Sequence, residues 1–431
     1  MAIAGRMQTI LRSTDRAFLL SACVLRGGLD ALYVGYVNPA YRYAGFELEW
    51  QPLVYLESWA LFFLSLLIVP ENARKPSDFY MFLTAFTIIM PMSSLYGLAG
   101  VSRWPLYGVL VGYILILIVK KGKRFSVPKL KDGPQMALSI SWTMVLLIMS
   151  WQVVSGGLNY FNFDLTRVYE FRSDASEAID RGLFAYLNSW GSKVFNVFLL
   201  AYGLYKRSFP LIAATLVVQA FFFGISAQKA VVFYPALVIG VWYYFRRGTS
   251  FSPVLAGLIA VVFVSGFFWI VLGMDFMVSL LVRRLFFSLA LNIYDYFDYF
   301  GSNEFVYWSN SIARSFIEYP YPENPADWIG IVRGTDDHVN TSFLANGYMH
   351  AGLIGLLVYC FLAGLLLRLI DSLAASGLPM WFVVAVTIVP MFQLITASDL
   401  PTALLTKGLG VSLFLVFLVR IPVRRRDLVQ A

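Results

Sequence analysis

An arginine, two aspartates and a histidine stand within six residues in RGTDDH, residues 333–338, and a hydrophobic helix follows within a few more. Histidine is the side chain best matched to moving a proton near neutral pH, which makes His338 a candidate general base. Asp336 or Asp337 could orient the ring, or take the proton itself if its surroundings raised its pKa. The bland alternative is a helix entry with acids near its positive end. An Asp-Asp-His metal site would need a further cluster of ligands, and no such spacing is present, so no metal is expected. The other histidine, His350, sits inside the following apolar stretch and reads as structural.

Cations form the second constellation. Arg283 and Arg284 interrupt the segment 277–297, in which Leu280, Leu281, Leu285, Leu289 and Ile293 would form one helical stripe. A guanidinium offers paired donors that match phosphate oxygens, and the same residues could also anchor an interfacial helix by snorkelling. Gln228 and Lys229 lie in ISAQKAV, at a tight turn between two apolar segments, where a lysine could serve phosphate or merely reach water. Arg167, Arg172 and Arg181 alternate with acids over 163–184, which is equally the pattern of a solvated helix. Tyrosines, phenylalanines and tryptophans crowd 294–328 beside Asp295, Asp298, Asn303, Glu304 and Asn310, a mixture of flat apolar faces and polar groups that suits a sugar.

The elements that must position these residues are membrane helices. The 431 residues are 59% hydrophobic and 13% charged, with a mean hydropathy of +0.70. A soluble domain carries about 25% charged residues, so this chain needs lipid as its main solvent. Segments near 17–37, 52–70, 80–97, 104–119, 136–157, 192–205, 209–226, 231–245, 252–273, 350–370, 380–397 and 403–420 predict about twelve spans in a single all-α polytopic membrane domain covering 1–431. Basic runs at 72–75, 120–131, 205–207, 245–247 and 424–426 fall on one side of that scheme, which puts both termini in the cytoplasm. Two long loops then face the other side, 158–191 and 274–349, and carry the candidate residues. The net charge of +8 is distributed as cytoplasmic loop charge, so nucleic acid is not an expected partner. Cys23 and Cys360 lie in apolar segments, away from any disulfide or metal framework. Nucleotide-binding and zinc-protease motifs are missing, and no cytoplasmic loop is long enough to form a catalytic domain.

The chain resembles the Wzy-type O-antigen polymerases and, more broadly, the O-antigen ligase superfamily. The resemblance rests on FDLTRVYEFR, YGLYKR, SAQKAVVFYPALVIGVWYYFRR, VRRLFF, FGSN and VNTSFLANGYMHAGLIG, and covers most of the chain. It implies a GT-C-like, ligase-like bundle in a bacterial inner membrane, multi-pass, with a periplasmic active site. The implied reaction joins undecaprenyl-pyrophosphate-linked oligosaccharide units, donor and acceptor both lipid-linked, by inverting glycosyl transfer without a cofactor. A Wzz-type chain-length regulator is the implied protein partner. His338 matches the histidine that related ligases carry before the helix closing the large loop. Periplasmic arginines characteristic of the polymerases match Arg167, Arg172 and Arg181, then Arg283, Arg284, Arg314 and Arg333. Pyrophosphate would fall to Arg283, Arg284, Lys229 and Gln228, and glycan contact to Arg167, Arg172, Arg181, Arg314, Arg333, Asn340 and Tyr348. Nine residues separate Arg172 from Gly182, one fewer than the Arg-to-Gly spacing of some members. A ligase moving finished glycan onto lipid A core, or a flippase for lipid-linked sugars, are the alternatives.

Overall fold

The computed structural model describes residues 15–163, 176–226, 228–335, 337–375 and 377–420. It is all-helical, with one isolated bridge between Asn72 and Ser250 and no strand among the described residues. In chain order the helices are α1 (Arg16–Ala44), α2 (Pro52–Leu66), α3 (Pro76–Leu98), α4 (Arg103–Lys120) and α5 (Gly133–Val154). Then come α6 (184–206), α7 (Phe209–Ser226), α8 (Lys229–Arg247), α9 (Ser252–Leu272), α10 (278–302) and α11 (Pro325–Val332). Last are α12 (Phe343–Ala374), α13 (Met380–Ala397), α14 (Leu400–Leu405) and α15 (Leu409–Leu418).

Eight of these helices, α1, α3, α4, α5, α7, α9, α12 and α13, are long and apolar enough to cross a membrane. Twelve were expected, and the difference has local causes. The expected span at 52–70 is a helix of only 15 residues, and that at 403–420 is split into α14 and α15 by Gly408, whose φ is +86°. The remaining two are diluted by polar residues. α6 carries Asn188, Ser192, Lys193 and Asn196, and α8 starts at Lys229, contains Pro235 and ends in Arg246–Arg247.

The chain forms two compact units. The first takes residues 1–122, 249–366 and 395–399, and the second takes 123–248, 367–394 and 400–431. In the first, α1 and α9 pack at small residues. A Cβ on Gly28 would stand 3.2 Å from Val262, so the two backbones approach closely, as small residues permit between membrane helices. Also in the first unit, Arg26 of α1 is fully buried. It donates to Ser58 O at 2.8 Å and Ser58 Oγ at 2.6 Å, and it lies 4.3 Å over the Trp59 ring. Asp30, one turn on, pairs with it at 3.7 Å and accepts from Tyr55 Oη at 2.9 Å. In the second unit, polar side chains tie the helices together. Asn196 of α6 donates to Thr215 O and to Gln219 Oε1 of α7, and Gln219 donates to Val231 O of α8. Such bonds persist in lipid because the unpaired groups would have no water to turn to.

Candidate functional site

Helix α10 is the platform of the site in the first unit. Its first ten residues, Val278–Phe287, are π-helical, and Ser288–Ser302 continue as α-helix. The change of hydrogen-bond register moves the buried face. Val278, Val282, Phe286 and Phe287 are buried, followed by Leu289 and Ile293, whereas Leu280 is exposed and Leu281 and Leu285 are half-buried. The expected 3.6-residue stripe is therefore corrected at its start, because an i→i+5 ladder does not follow that period. Arg283 and Arg284 emerge on different faces. Arg283 lies 4.0 Å over the Tyr41 ring and reaches Ser279 Oγ at 3.4 Å, while Arg284 is exposed. Tyr41 itself donates to Ser279 Oγ at 2.8 Å. Only Arg284 of the pair presents its guanidinium outward.

Further along α10, Asn292 and Asp295 receive Arg333. The guanidinium donates to Asn292 Oδ1 at 2.8 Å and forms an ion pair with Asp295. Desolvation raises the pKa of Asp295, and the Arg333 charge opposes it. Asn292 Nδ2 then donates to Asn340 O at 2.7 Å, and Tyr296 Oη to Val339 O at 3.1 Å. These bonds fasten the strip 339–340 that follows His338. Arg333 and Asn340 thus act here as ties of the loop, Asn340 through its backbone.

His338 is half-exposed, and its Nδ1 lies 2.5 Å from Asp327 Oδ1. Asp327 stands in the first turn of α11, whose N-cap is Asn324. Asn324 accepts from Asp327 N at 3.2 Å, and its amide donates to the other carboxylate oxygen. The hydrogen bond from His338 holds the Asp327 carboxyl below its usual range, with Asn324 helping. With Nδ1–H given to the carboxylate, Nε2 is the ring's acceptor. The carboxylate at His338 is therefore one the sequence reading did not single out. Asp337 is exposed, its carbonyl packed where only the hydrogen of Gly330 leaves room, and Asp336 lies outside the described residues. The run Asn324-Pro325-Ala326-Asp327 announces a helix start, but nothing in it reports a histidine eleven residues on.

The second histidine is wholly buried at a break in α12. Ala351 (φ −156°, ψ 36°) and Gly352 (φ 58°, ψ −143°) interrupt the helix. The carbonyls of Met349 and His350 are taken by the backbone N–H groups of Val306 and Tyr307 at 3.0 and 3.1 Å. His350 Nδ1 accepts from Trp308 N at 3.1 Å, so its proton is on Nε2, 3.3 Å from Asp399 Oδ2. Trp308 stacks on the imidazole with centroids 4.8 Å apart and donates its indole N–H to Tyr359 Oη at 2.7 Å. Tyr307 and Trp308 both have positive φ, the left-handed region that side chains other than glycine rarely enter.

A cavity of about 550 Å³ opens between α4 and α12. Ser102, Asp298 and Ser302 line it from the start of α4 and the last turns of α10, and Val111, Leu353, Leu356 and Leu357 line it along α4 and α12. Tyr348 lies in its wall, stacked on Phe297 at 4.0 Å. Desolvation, and then the charge of Asp295, raise the pKa of Asp298.

Arg314 is exposed in the large loop. Gln228, Lys229 and Arg181 belong to the second unit, where Gln228 lines a small polar cavity and Lys229 and Arg181 are exposed. Arg167 and Arg172 lie outside the described residues. No metal-ligand cluster occurs among the described residues. In comparison with known proteins, no family model, no curated protein and no solved structure matches this chain.

Proposed function

We propose that this chain is a membrane glycosyltransferase that polymerises polyprenyl-pyrophosphate-linked oligosaccharide units. One observation carries the reading. The single helix α10 lines an apolar cavity between two potential membrane spans with its carboxyl end, and two turns earlier it ties down the loop of a carboxylate-paired histidine. In this reading an amphiphile places its lipid chain in that cavity and its polar head among the groups of the loop. A lipid-linked sugar is such an amphiphile.

The chemistry follows from the groups present. A hydroxyl of the acceptor sugar attacks the anomeric carbon of the donor. Its proton passes to His338 Nε2, whose imidazolium is stabilised and oriented by Asp327. The anomeric carbon–oxygen bond breaks with its electron pair on the polyprenyl pyrophosphate, and Arg284 offsets the charge that develops there. A single displacement inverts the anomeric centre. Arg283, given to Tyr41, holds the helix in place instead.

In this reading the four shorter or more polar helical segments also cross, giving twelve passes of a bacterial inner membrane, with 274–349 on the periplasmic face and basic runs in the cytoplasm. Impermeant cysteine reagents in spheroplasts test the orientation. Glu323→Cys is expected to label and Phe125→Cys is not, and the reverse would remove the mechanism from the periplasm. The activity is tested by incubating purified protein with a lipid-linked repeat unit and resolving the glycan. A ladder supports polymerisation. Transfer only onto added lipid A core would make the protein a ligase.

One observation favours a second reading. Broken helices beside buried ionisable pairs occur in transporters, and α12 breaks beside His350 and Asp399. Movement of a lipid-linked sugar between leaflets of proteoliposomes, with no ladder, would establish transport instead.

A further inference from the structure

The second unit holds a cavity of about 120 Å³, several times the roughly 10–15 Å³ that a single water needs. Its lining is unlike the apolar groove of the first unit. Gln152, Asp180, Asn188, Ser192, Ser226 and Gln228 supply amides, hydroxyls and one carboxylate, with Ile179 and Val231 as apolar patches. No arginine or lysine lines it among the described residues.

The pairing of these groups is incomplete in an informative way. Asp180 is already engaged, accepting from Ser176 Oγ at 2.7 Å and from Asn188 Nδ2 at 2.8 Å. Asn188 also donates to Ile179 O at 2.8 Å, and its Oδ1 accepts a long bond of 3.5 Å from Gln152 Nε2. Gln152 is 2% exposed, yet its Oε1 has no partner among the described residues, and neither has Ser226 Oγ. A buried amide oxygen left unpaired is costly, by about 1–3 kcal/mol. A ligand that both donates and accepts hydrogen bonds would remove that cost.

Charge narrows its class. A phosphate would meet the Asp180 carboxylate with no cation among the described lining residues. A metal cation would find a single carboxylate among the described lining residues, already accepting two hydrogen bonds. A neutral hydroxylated ring meets every condition: its hydroxyls donate to Gln152 Oε1, exchange with Ser192 and Ser226, and its carbon face rests on Val231. We propose that this cavity is a binding site for one neutral sugar residue, held by Gln152, Ser226 and Gln228. This deepens the glycosyl-transfer reading by assigning a sugar subsite, and it rests on that reading only for the origin of the sugar.

Saturation-transfer NMR on the full chain in nanodiscs tests it, with methyl glycosides of neutral hexoses and N-acetylhexosamines as probes. Transfer from at least one glycoside is expected, with affinity about tenfold weaker in Gln152→Leu. Ser226→Ala removes one hydroxyl with almost no change in volume, and several-fold weakening is expected there too, at an unchanged melting temperature. That variant decides the matter if Gln152→Leu does not fold. No transfer from any glycoside, or equal transfer in wild type and Ser226→Ala, would leave a cavity filled by water only and overturn the proposal. Binding is read without turnover. Glycoside binding with no ladder therefore keeps the subsite and removes the polymerase reading, and a ladder with no glycoside binding does the reverse.

Discussion

The Nδ1 atom of His338 lies 2.5 Å from Oδ1 of Asp327, a residue eleven positions earlier in the chain. The pairing gives a short, charge-assisted contact whenever the imidazole carries its proton. It selects the tautomer with Nε2 as acceptor, the state a general base needs.

His338→Ala is accordingly expected to lower turnover by about 10²–10⁴-fold, and His338→Gln to fail as well, since an amide cannot take the proton. Asp327→Asn keeps the shape but loses the charge that favours the imidazolium, so a smaller loss is expected with a changed pH profile. Glycan ladders at matched expression give the ranking. Equal loss in Asp327→Asn and wild-type activity in His338→Ala would move the base elsewhere.

The pH dependence of this contact has a definite sign. Asp327 titrates below its ordinary value of 3.8 because His338 stabilises the carboxylate. A depressed carboxyl contributes stability above its unfolded value and loses it as pH falls through the folded one. The pair should therefore persist at pH 4 and above, and loosen only below. Carbon-13 titration of the Asp327 carboxyl reads this directly. In His338→Ala its midpoint should rise toward 3.8, and an unmoved midpoint would mean that another group depresses it.

Arg283 and Arg284 are adjacent but should fail differently. Arg284→Ala is expected to lose roughly 2–4 kcal/mol of transition-state stabilisation with the melting temperature kept, and Arg284→Lys to recover part of it. Arg283→Ala removes a cation–π contact with Tyr41, worth about 0.5–2 kcal/mol, and should show as lower thermal stability in detergent. Activity lost in Arg283→Ala at full stability, with Arg284→Ala active, would exchange the two roles.

What the sequence discloses here depends on range. The helical class, most span positions and the platform segment 277–297 follow from composition and local pattern. The doublet Arg283–Arg284 was visible, but its division was not, because a π-helical register does not announce itself in residue spacing. Asp327 was missed because its link to His338 is tertiary. Arg26 and Asp30 stand four residues apart in the first apolar segment, a spacing that fits one helix face. Their partners Ser58, Trp59 and Tyr55 come from α2, which no pattern within α1 could indicate.

That buried pair supports a stability prediction. Arg26 has no exposed surface, so Arg26→Met leaves the buried Asp30 carboxyl without its cation and with Tyr55 Oη as its remaining donor. Breaking one side of such a pair costs about 3–5 kcal/mol, whereas replacing both partners by apolar residues is often neutral. Arg26→Met with Asp30→Leu is thus expected to melt higher than Arg26→Met alone. A double variant no more stable than the single would show that Asp30 is held by Tyr55 without needing Arg26.

The break in α12 makes the last prediction. Gly352 has φ 58° and ψ −143°, a region open essentially to glycine alone, and a Cβ there would stand 3.0 Å from Phe305. Gly352→Ala must either strain that backbone or restore helical geometry. Restoring it would withdraw the carbonyls of Met349 and His350 from Val306 and Tyr307, and with them the seat of the imidazole between Trp308 and Asp399. A loss of about 1–3 kcal/mol is expected, read as thermal melting in detergent. His350→Ala should lose a similar amount, because Trp308 N–H is left unpaired. The double variant distinguishes one linked unit from two separate faults. If the break exists to seat His350, its loss should be clearly less than the sum. A fully additive double variant would instead mean that the break and the histidine are independent features that happen to be neighbours.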